Sequence, residues 1–198
     1  MKKNKSRHKQ YLFKRLEELY TKMEDSYNTI AKKIGLSCNG CEDNCCKSYF
    51  QHHTHIEWAY LFKGINSLDE DKKLQILRRS QEYIRITDKL LKEGKRPDIM
   101  CPLNEGGRCI LYKYRLMICR LHGIPNIIKM PDGILKKFPG CFKCVELTKN
   151  SLFFPVMDRT PFYVSLAEIE RKFTKLLKNP MPKVDHTLAE MIVLGEPR

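Results

Sequence analysis

Apolar residues recur at steps of three and four along much of this chain, and that spacing places them on one face of an α-helix. Near the N-terminus the stripe consists of Leu12, Leu16, Leu19, Met23, Tyr27, Ile30 and Ile34. Gly35 follows the stripe, at the position where a glycine in the left-handed conformation commonly caps a helix. The pattern therefore predicts a long amphipathic helix that ends at Gly35 and packs its apolar face into a core.

Two Ser/Thr-x-x-Glu sequences indicate where the next helices begin. In such a capping box the hydroxyl oxygen accepts an N–H of the first turn, and the glutamate reaches back to the cap residue. Thr54 and Glu57 form the first box, Ser67 and Glu70 form the second, and Gly94 ends the second of these helices. A Thr-Pro start and an aspartate cap open two more, so the predicted helices cover about residues 12–34, 54–63, 67–93, 160–178 and 185–194.

Between residues 96 and 150, prolines and glycines interrupt short apolar runs, so we expect irregular structure there. Residues 127–130 and 134–137, joined by Pro131-Asp132-Gly133, predict a small hairpin. We therefore predict a mainly α fold, with helices around an irregular cysteine-rich metal-binding segment and at most a small β-hairpin. Along the chain we expect a basic disordered tail (1–10), a cysteine-cluster metal-binding domain that includes the N-terminal helices (11–150), and C-terminal helices packed on the same domain (151–198).

The formal net charge of +14 raises the question of nucleic-acid binding. Five of the positive charges lie in the first nine residues, and zinc held by four thiolates would offset more of them. The sequence has no Lys/Arg stripe interleaved with aromatic residues, so we interpret the charge as a solubility feature and keep nucleic-acid contact through the tail as the alternative. The sequence has neither an apolar run of membrane-span length nor a secretory signal pattern, and it predicts a cytoplasmic protein with no membrane partner.

Four cysteines lie within nine residues, in the sequence Cys38-Asn39-Gly40-Cys41-Glu42-Asp43-Asn44-Cys45-Cys46. The turn-forming residues between them let the sulfurs converge, and this spacing is typical of thiolate ligands to a metal. The alternative is a disulfide with two buried thiols, which is disfavoured in a chain without secretory features because disulfides need an oxidising compartment. The loop therefore predicts a metal site.

The other five cysteines extend the same pattern. They form two groups, Cys101, Cys109 and Cys119, followed by Cys141 and Cys144. All lie near prolines, glycines or turns, whereas core cysteines usually occur singly at helical or strand spacing. We therefore predict that metal holds the irregular segment together, since that segment has little apolar surface of its own to bury.

The chain resembles a cysteine-cluster family with a CxxCxxxCC motif, described as a zinc- or iron-chelating domain, over about half of its length. The residues that carry the resemblance are Cys38-x2-Cys41-x3-Cys45-Cys46, Cys101-Pro102-Leu103, Gly107-Arg108-Cys109 and Tyr112-x2-Arg115-x3-Cys119-Arg120. Where the family has Arg-Pro, this chain has Arg115-Leu116, which loosens a turn and removes no ligand. The resemblance implies metal binding and leaves the biochemical activity undefined.

Eight thiols are enough for two centres, because zinc and a [4Fe–4S] cluster each take four thiolates. Adjacent Cys45 and Cys46 point in different directions, so they either serve different centres or leave one thiol to pack. Cys144 is the most expendable thiol, because the resemblance supports only a cysteine near Pro139-Gly140. The predicted metal ligands are Cys38, Cys41, Cys45, Cys46, Cys101, Cys109, Cys119 and Cys141.

Two arginines and several histidines accompany the thiols. Arg115 and Arg120 are candidate cofactor-binding residues that would donate hydrogen bonds to thiolate or cluster sulfurs, and the alternative is that they form surface ion pairs. His122 is the best candidate to replace a thiolate. The histidines after the cysteine loop are interpreted as a solvated helix start: His52, His53 and His55.

Grouped thiols without a nucleic-acid motif favour an iron–sulfur cluster, [4Fe–4S] in type, over the alternative of Zn²⁺. We therefore expect a cluster-carrying protein with a redox or cluster-related role, such as a component of an oxidoreductase. The alternative is a zinc-stabilised binding or interaction module. The third possibility is an enzyme with a metal-centred active site. The sequence has no Ser-His-Asp arrangement, P-loop or dinucleotide fingerprint, so this possibility rests on the metal alone and identifies no catalytic residue.

Overall fold

The computed structural model describes residues 2–38, 45–177 and 182–197, without the side chains of residues 2–4 and 45. Helix makes up 57% of the structure, so the predicted mainly α fold is confirmed. The α-helices of the described chain are α1 (Lys2–Ile34), α2 (His55–Ile65), α3 (Glu70–Lys92), α4 (Met117–Leu121), α5 (Phe142–Thr148), α6 (Thr160–Thr174) and α7 (Leu188–Leu194). Single turns of 3-10 helix cover Cys45–Lys47 and Tyr112–Tyr114.

The first predicted helix is confirmed and is longer than its apolar stripe. Gly35 has a φ of 71°, and the N–H of Leu36 donates to the carbonyl of Ala31 at 2.8 Å, which together form the predicted left-handed cap. The helix begins at Lys2, so the basic stretch that we expected to be disordered is helical from that residue onward. Lysine, arginine and glutamine favour helix, and a helix extends readily from a segment that is already packed.

Both predicted helices form, but neither begins with the predicted capping box. Thr54 precedes α2, but its hydroxyl donates to the Glu57 carboxylate at 2.7 Å and does not cap the backbone. The cap of α3 is Asp69, whose carboxylate accepts the N–H of Lys72 at 2.7 Å. Ser67 instead donates its hydroxyl to a carbonyl at the end of α2. An aspartate two residues after the serine offers an equally good cap, and the turn after α2 decides between them.

The last two helices form where the sequence predicts, with different caps. Thr160 is the first residue of α6, and its N–H donates to the Asp158 carboxylate at 2.8 Å. The helix ends at Thr174, before the predicted end near position 178, which itself lies outside the described residues. Thr187 and Glu190 form a complete capping box at α7, so the predicted cap Asp185 is wrong.

Short strands supply the remaining regular structure of the described residues. They are β1 (Asn104–Glu105), β2 (Arg108–Cys109), β3 (Asn126–Lys129), β4 (Leu135–Phe138) and β5 (Met157–Asp158). The predicted hairpin is confirmed, because β3 and β4 are antiparallel, with Ile128 opposite Lys136. β5 adds to the other edge of β3 in parallel, and β1 pairs with β2, two contacts that the sequence did not predict.

The chain forms two compact units, each made of two separate segments. Unit 1 comprises Met1–Cys45 and Cys119–Lys172, and unit 2 comprises Cys46–Ile118 and Phe173–Arg198. This division cuts across the linear scheme expected from the sequence. The boundary lies between the adjacent cysteines 45 and 46, so the dense cysteine loop contributes to both units.

Each unit has buried apolar side chains of its own. In unit 1 they come mainly from α1 and α6: Leu12, Phe13, Leu16, Leu19, Tyr20, Met23, Leu166 and Ile169. In unit 2, α3 packs against α7, and the Trp58 indole N–H donates to the Met191 carbonyl at 3.1 Å within the core. That core consists of Trp58, Leu61, Ile65, Ile76, Leu103, Leu111, Leu116, Val184, Met191 and Ile192. None of the described helices has the length and apolar content needed to cross a membrane.

Candidate metal centre

In unit 1, two cysteines lie on the first turn of α5. Cys141 is the cap residue of this helix, and Cys144 lies three residues later. The two residues belong to one turn, and their thiols are close enough to interact electrostatically. Cys141 is half-buried and Cys144 is fully buried. Burial and, to a smaller extent, the neighbouring Cys141 thiol raise the pKa of the Cys144 thiol to about 11.

Two glycines hold this turn against the segment that follows Cys119. The N–H of Cys141 donates to the carbonyl of Gly123 at 3.0 Å. Gly140 has a φ of 95°, and a Cβ placed on it would lie 2.5 Å from the Gly123 oxygen and 2.9 Å from the Cys144 sulfur. Only glycine fits this position, since another residue would meet backbone as well as strain. The close approach brings the chain after α4 to the Cys141 turn.

A third contact brings the start of the cysteine loop to the same turn. The Lys143 ammonium donates to the carbonyl of Ser37 at 2.7 Å, one residue before Cys38. Cys38 is exposed. Contacts within unit 1 therefore lead from the Cys141 turn to residues close to both Cys38 and Cys119. Cys41 and the side chain of Cys45 lie outside the described residues.

In unit 2, backbone hydrogen bonds and a strand pair connect the segments that carry three further cysteines. The N–H of Cys101 donates to the carbonyl of Cys46 at 2.9 Å. Asn104 donates its N–H to the Cys101 carbonyl at 2.9 Å, and the strand pair β1–β2 places Asn104 opposite Cys109. All three cysteines are half-buried. Residues 55 positions apart in sequence are therefore adjacent in the fold.

Tyr83 is a neighbour of this second group that the sequence analysis missed. Its side chain is buried on α3. Burial raises the pKa of the Tyr83 hydroxyl to about 12, and the Cys101 thiol is the next largest cause. Tyr83 flanks the apolar stripe of its helix and carries no signal in the sequence that would distinguish it from a core residue.

The two predicted cofactor-binding arginines each stack on an aromatic ring. The Arg120 guanidinium stacks 4.1 Å from the ring centre of Tyr20 and lies 3.8 Å from a Glu24 carboxylate oxygen, with only 8% of the residue exposed. Arg115 stacks 3.5 Å from the ring centre of Tyr112. These contacts fit a packing role, and hydrogen bonding of either arginine to sulfur stays a prediction.

The histidines after the cysteine loop are not a solvated helix start. His52 and His55 are each 4% exposed, and burial lowers the pKa of His52 to about 3. His53 is the exposed member, and its ring nitrogen lies 3.3 Å from the Asp185 carboxylate. His122, half-buried between Cys119 and Gly123, keeps its position as a candidate ligand.

The described thiols do not by themselves make a complete metal site. Within residues 2–38, 45–177 and 182–197, no three His, Cys, Asp or Glu side chains are arranged to hold a metal ion. The seven cysteines whose side chains are described form no disulfide with one another. Thiolates are the ligands that a soft metal prefers, so the cysteines suit such a metal by their chemistry. A four-thiolate site would take further ligands from the loop between residues 38 and 46.

Comparisons of the chain with known protein families, with curated proteins and with solved structures each return no match.

Proposed function

We propose that this chain is a metal-binding cysteine-cluster protein that carries an iron–sulfur cluster, [4Fe–4S] in type, in a redox or cluster-related role. The observation that carries the proposal is the convergence of contacts on the Cys141 turn. Lys143 bonds to the residue before Cys38, and Cys141 itself bonds to Gly123, four residues after Cys119. Residues close in sequence to Cys38 and to Cys119 thus contact one helix turn within unit 1, which supports a shared centre.

The proposed ligands are the predicted set, and the two units divide it. Unit 1 contains Cys38, Cys41, Cys45, Cys119 and Cys141, and unit 2 contains Cys46, Cys101 and Cys109. An iron–sulfur cluster, when bound, supplies one-electron redox chemistry. The protein's own residues would supply thiolates and exclude water with the half-buried surfaces around them, and a reducing cytoplasm would keep the thiols available.

The alternative function is a zinc-stabilised binding or interaction module. One feature favours it: the segment between α3 and α6 is built from very short elements, the longest of which is the seven-residue α5. A structural metal ion commonly stabilises folds built from such short elements. The segment also buries apolar side chains of its own, such as Leu103, Leu116 and Leu121. Zinc would hold the same thiolates and would supply no redox chemistry.

Anaerobic purification followed by metal and sulfide analysis tests the proposal. We expect a brown protein with broad absorption near about 400 nm, and iron and sulfide in comparable amounts, about four of each per cluster. Cys101→Ser and Cys119→Ser should lower that absorption, while the surface control Ser151→Ala should not. A colourless protein with stoichiometric zinc would replace the iron–sulfur proposal with the alternative. A folded protein that takes up neither iron nor zinc would contradict both.

A further inference from the structure

We infer that the loop between α5 and β5 docks onto an anionic lipid surface, with Leu152 and Phe153 inserted into the headgroup layer. This inference goes beyond the proposed function and does not depend on a metal. The sequence predicts no membrane partner because it lacks an apolar run of membrane-span length. Contact with the surface of a bilayer needs no such run, since exposed apolar side chains and nearby positive charges are sufficient for it.

The loop exposes large apolar side chains to water. Leu152 and Phe153 are the most exposed large apolar residues of the described chain, at 92% and 94%. Phe154 follows them, and Phe142 and Val145 are exposed on α5, the helix that leads into the loop. A single exposed apolar side chain is ordinary, but a group of them in one segment marks a contact surface.

The shape of the loop favours a deformable partner. The rest of the chain covers less than a tenth of the Leu152 and Phe153 surfaces, so both side chains protrude and line no groove. A protein partner commonly buries a closely packed patch, whereas lipid headgroups move aside around a protruding side chain. Surface-bound amphipathic elements bury their apolar side chains about 5–10 Å deep at the boundary between headgroups and acyl chains.

The charges around the loop fit an anionic surface. Residues 129–149 contain five lysines and two acidic residues. Of the acidic residues, Glu146 on α5 is already paired with Lys149 at 2.6 Å. The strand before α5 and the last turn of α1, against which α5 packs, add exposed lysines: Lys136, Lys137, Lys32 and Lys33. Lysines near an anionic leaflet are attracted to it, so charge and apolar insertion act together.

Two other occupants fit these features less well. A symmetric contact with a second copy would bring the same lysines of both copies together, and like charges repel. Nucleic-acid phosphates would attract the lysines, but they offer no apolar surroundings to an aliphatic side chain such as Leu152. An anionic bilayer satisfies both the lysines and the apolar side chains.

Vesicle sedimentation of the full chain tests the inference. The wild type should bind vesicles of phosphatidylcholine with phosphatidylserine, bind phosphatidylcholine alone more weakly, and lose affinity as salt screens the lysines. Leu152→Gln and Phe153→Gln should each weaken binding at least about tenfold, because each removes a large apolar side chain from the lipid. Leu74→Gln is the matched control, since Leu74 is 51% exposed on α3 in unit 2, and it should bind like the wild type. Thermal unfolding checks that the variants fold.

A fluorescent variant measures insertion directly. In Phe153→Trp, the added indole should shift its emission to the blue on phosphatidylserine vesicles and be quenched by lipids with brominated acyl chains. Trp58, the single natural tryptophan, is buried and provides a constant background. Wild type that does not bind these vesicles, or Phe153→Gln that binds them as well as wild type, would overturn the inference. Self-association or nucleic-acid binding that Phe153→Gln abolishes, without an effect on vesicles, would assign the loop to that partner instead.

Discussion

The carboxylate of Glu57 accepts the backbone N–H of Met117 at 2.6 Å, across 60 positions of sequence. Glu57 is 3% exposed, and its other oxygen accepts the Thr54 hydroxyl at 2.7 Å. Glu57, which the sequence assigns to a capping box, therefore accepts a hydrogen bond from the first residue of α4. Both residues belong to unit 2.

Replacing Glu57 tests the importance of that contact. We expect Glu57→Ala to lower the free energy of unfolding by about 2–3 kcal/mol, because a buried N–H loses a charged acceptor. Glu57→Gln keeps an acceptor and should cost less. Glu82→Ala, which removes an exposed ion pair with Arg85, is the control and should have little effect. Urea denaturation measures all three, and equal effects of Glu57→Ala and Glu82→Ala would contradict the prediction.

Gly64 lies in α2 against an aromatic ring. A Cβ on Gly64 would lie 2.5 Å from the Tyr114 ring, which itself lies 5.1 Å from the Tyr60 ring between centres. Gly64→Ala should therefore destabilise the protein by about 1–3 kcal/mol through overpacking, although alanine favours helix. In a Tyr114→Ala background the same substitution should be neutral or stabilising. Thermal unfolding of the four proteins forms a double-mutant cycle, and additive effects would disprove the steric explanation.

The buried imidazole of His52 predicts a pH dependence of stability. Burial lowers its pKa from 6.5 to about 3, so the unfolded chain binds a proton that the folded protein excludes. The stabilisation is complete above pH 6.5 and is lost as the pH falls toward 3. Below about pH 6 the expected slope is up to about 1.4 kcal/mol per pH unit. His52→Gln should flatten this part of the profile and exposed His53→Gln should not, as measured by denaturation between about pH 4 and pH 7.

An equal acid slope in wild type and His52→Gln would show that other groups cause the loss of stability. Because metal release also depends on pH, the comparison uses the difference between variants and wild type under matched metal-free conditions.

The bond from Lys143 to Ser37 predicts a role in metal affinity. Lys143→Met keeps the length of the side chain and removes the donor to the Ser37 carbonyl. One hydrogen bond of about 0.5–1.5 kcal/mol corresponds to about a 2- to 10-fold weaker affinity for Co²⁺. Lys149→Met, which removes an exposed ion pair with Glu146 on the same helix, is the matched control. Unchanged affinity of Lys143→Met would show that this contact does not position the loop.

The features that the sequence alone determined are those set by neighbours along the chain. Helical spacing of apolar residues located α1, α3 and α6, Gly35 ended α1, and the Pro131-Asp132-Gly133 turn closed the hairpin. Each depends on backbone conformation within a few residues.

The tertiary structure decided what depends on distant segments. Asp69 caps α3 in place of Ser67, and β5 pairs with β3. In each case the surrounding chain determines which of several locally possible backbone partners is used. Burial also divided similar residues: His52 and Cys144 are enclosed while His53 and Cys38 are exposed. The spacing of residues along the sequence does not indicate which of two similar side chains is exposed to water. Burial and the approach of remote backbone, such as that of Gly123 to Gly140, arise only when the whole chain packs.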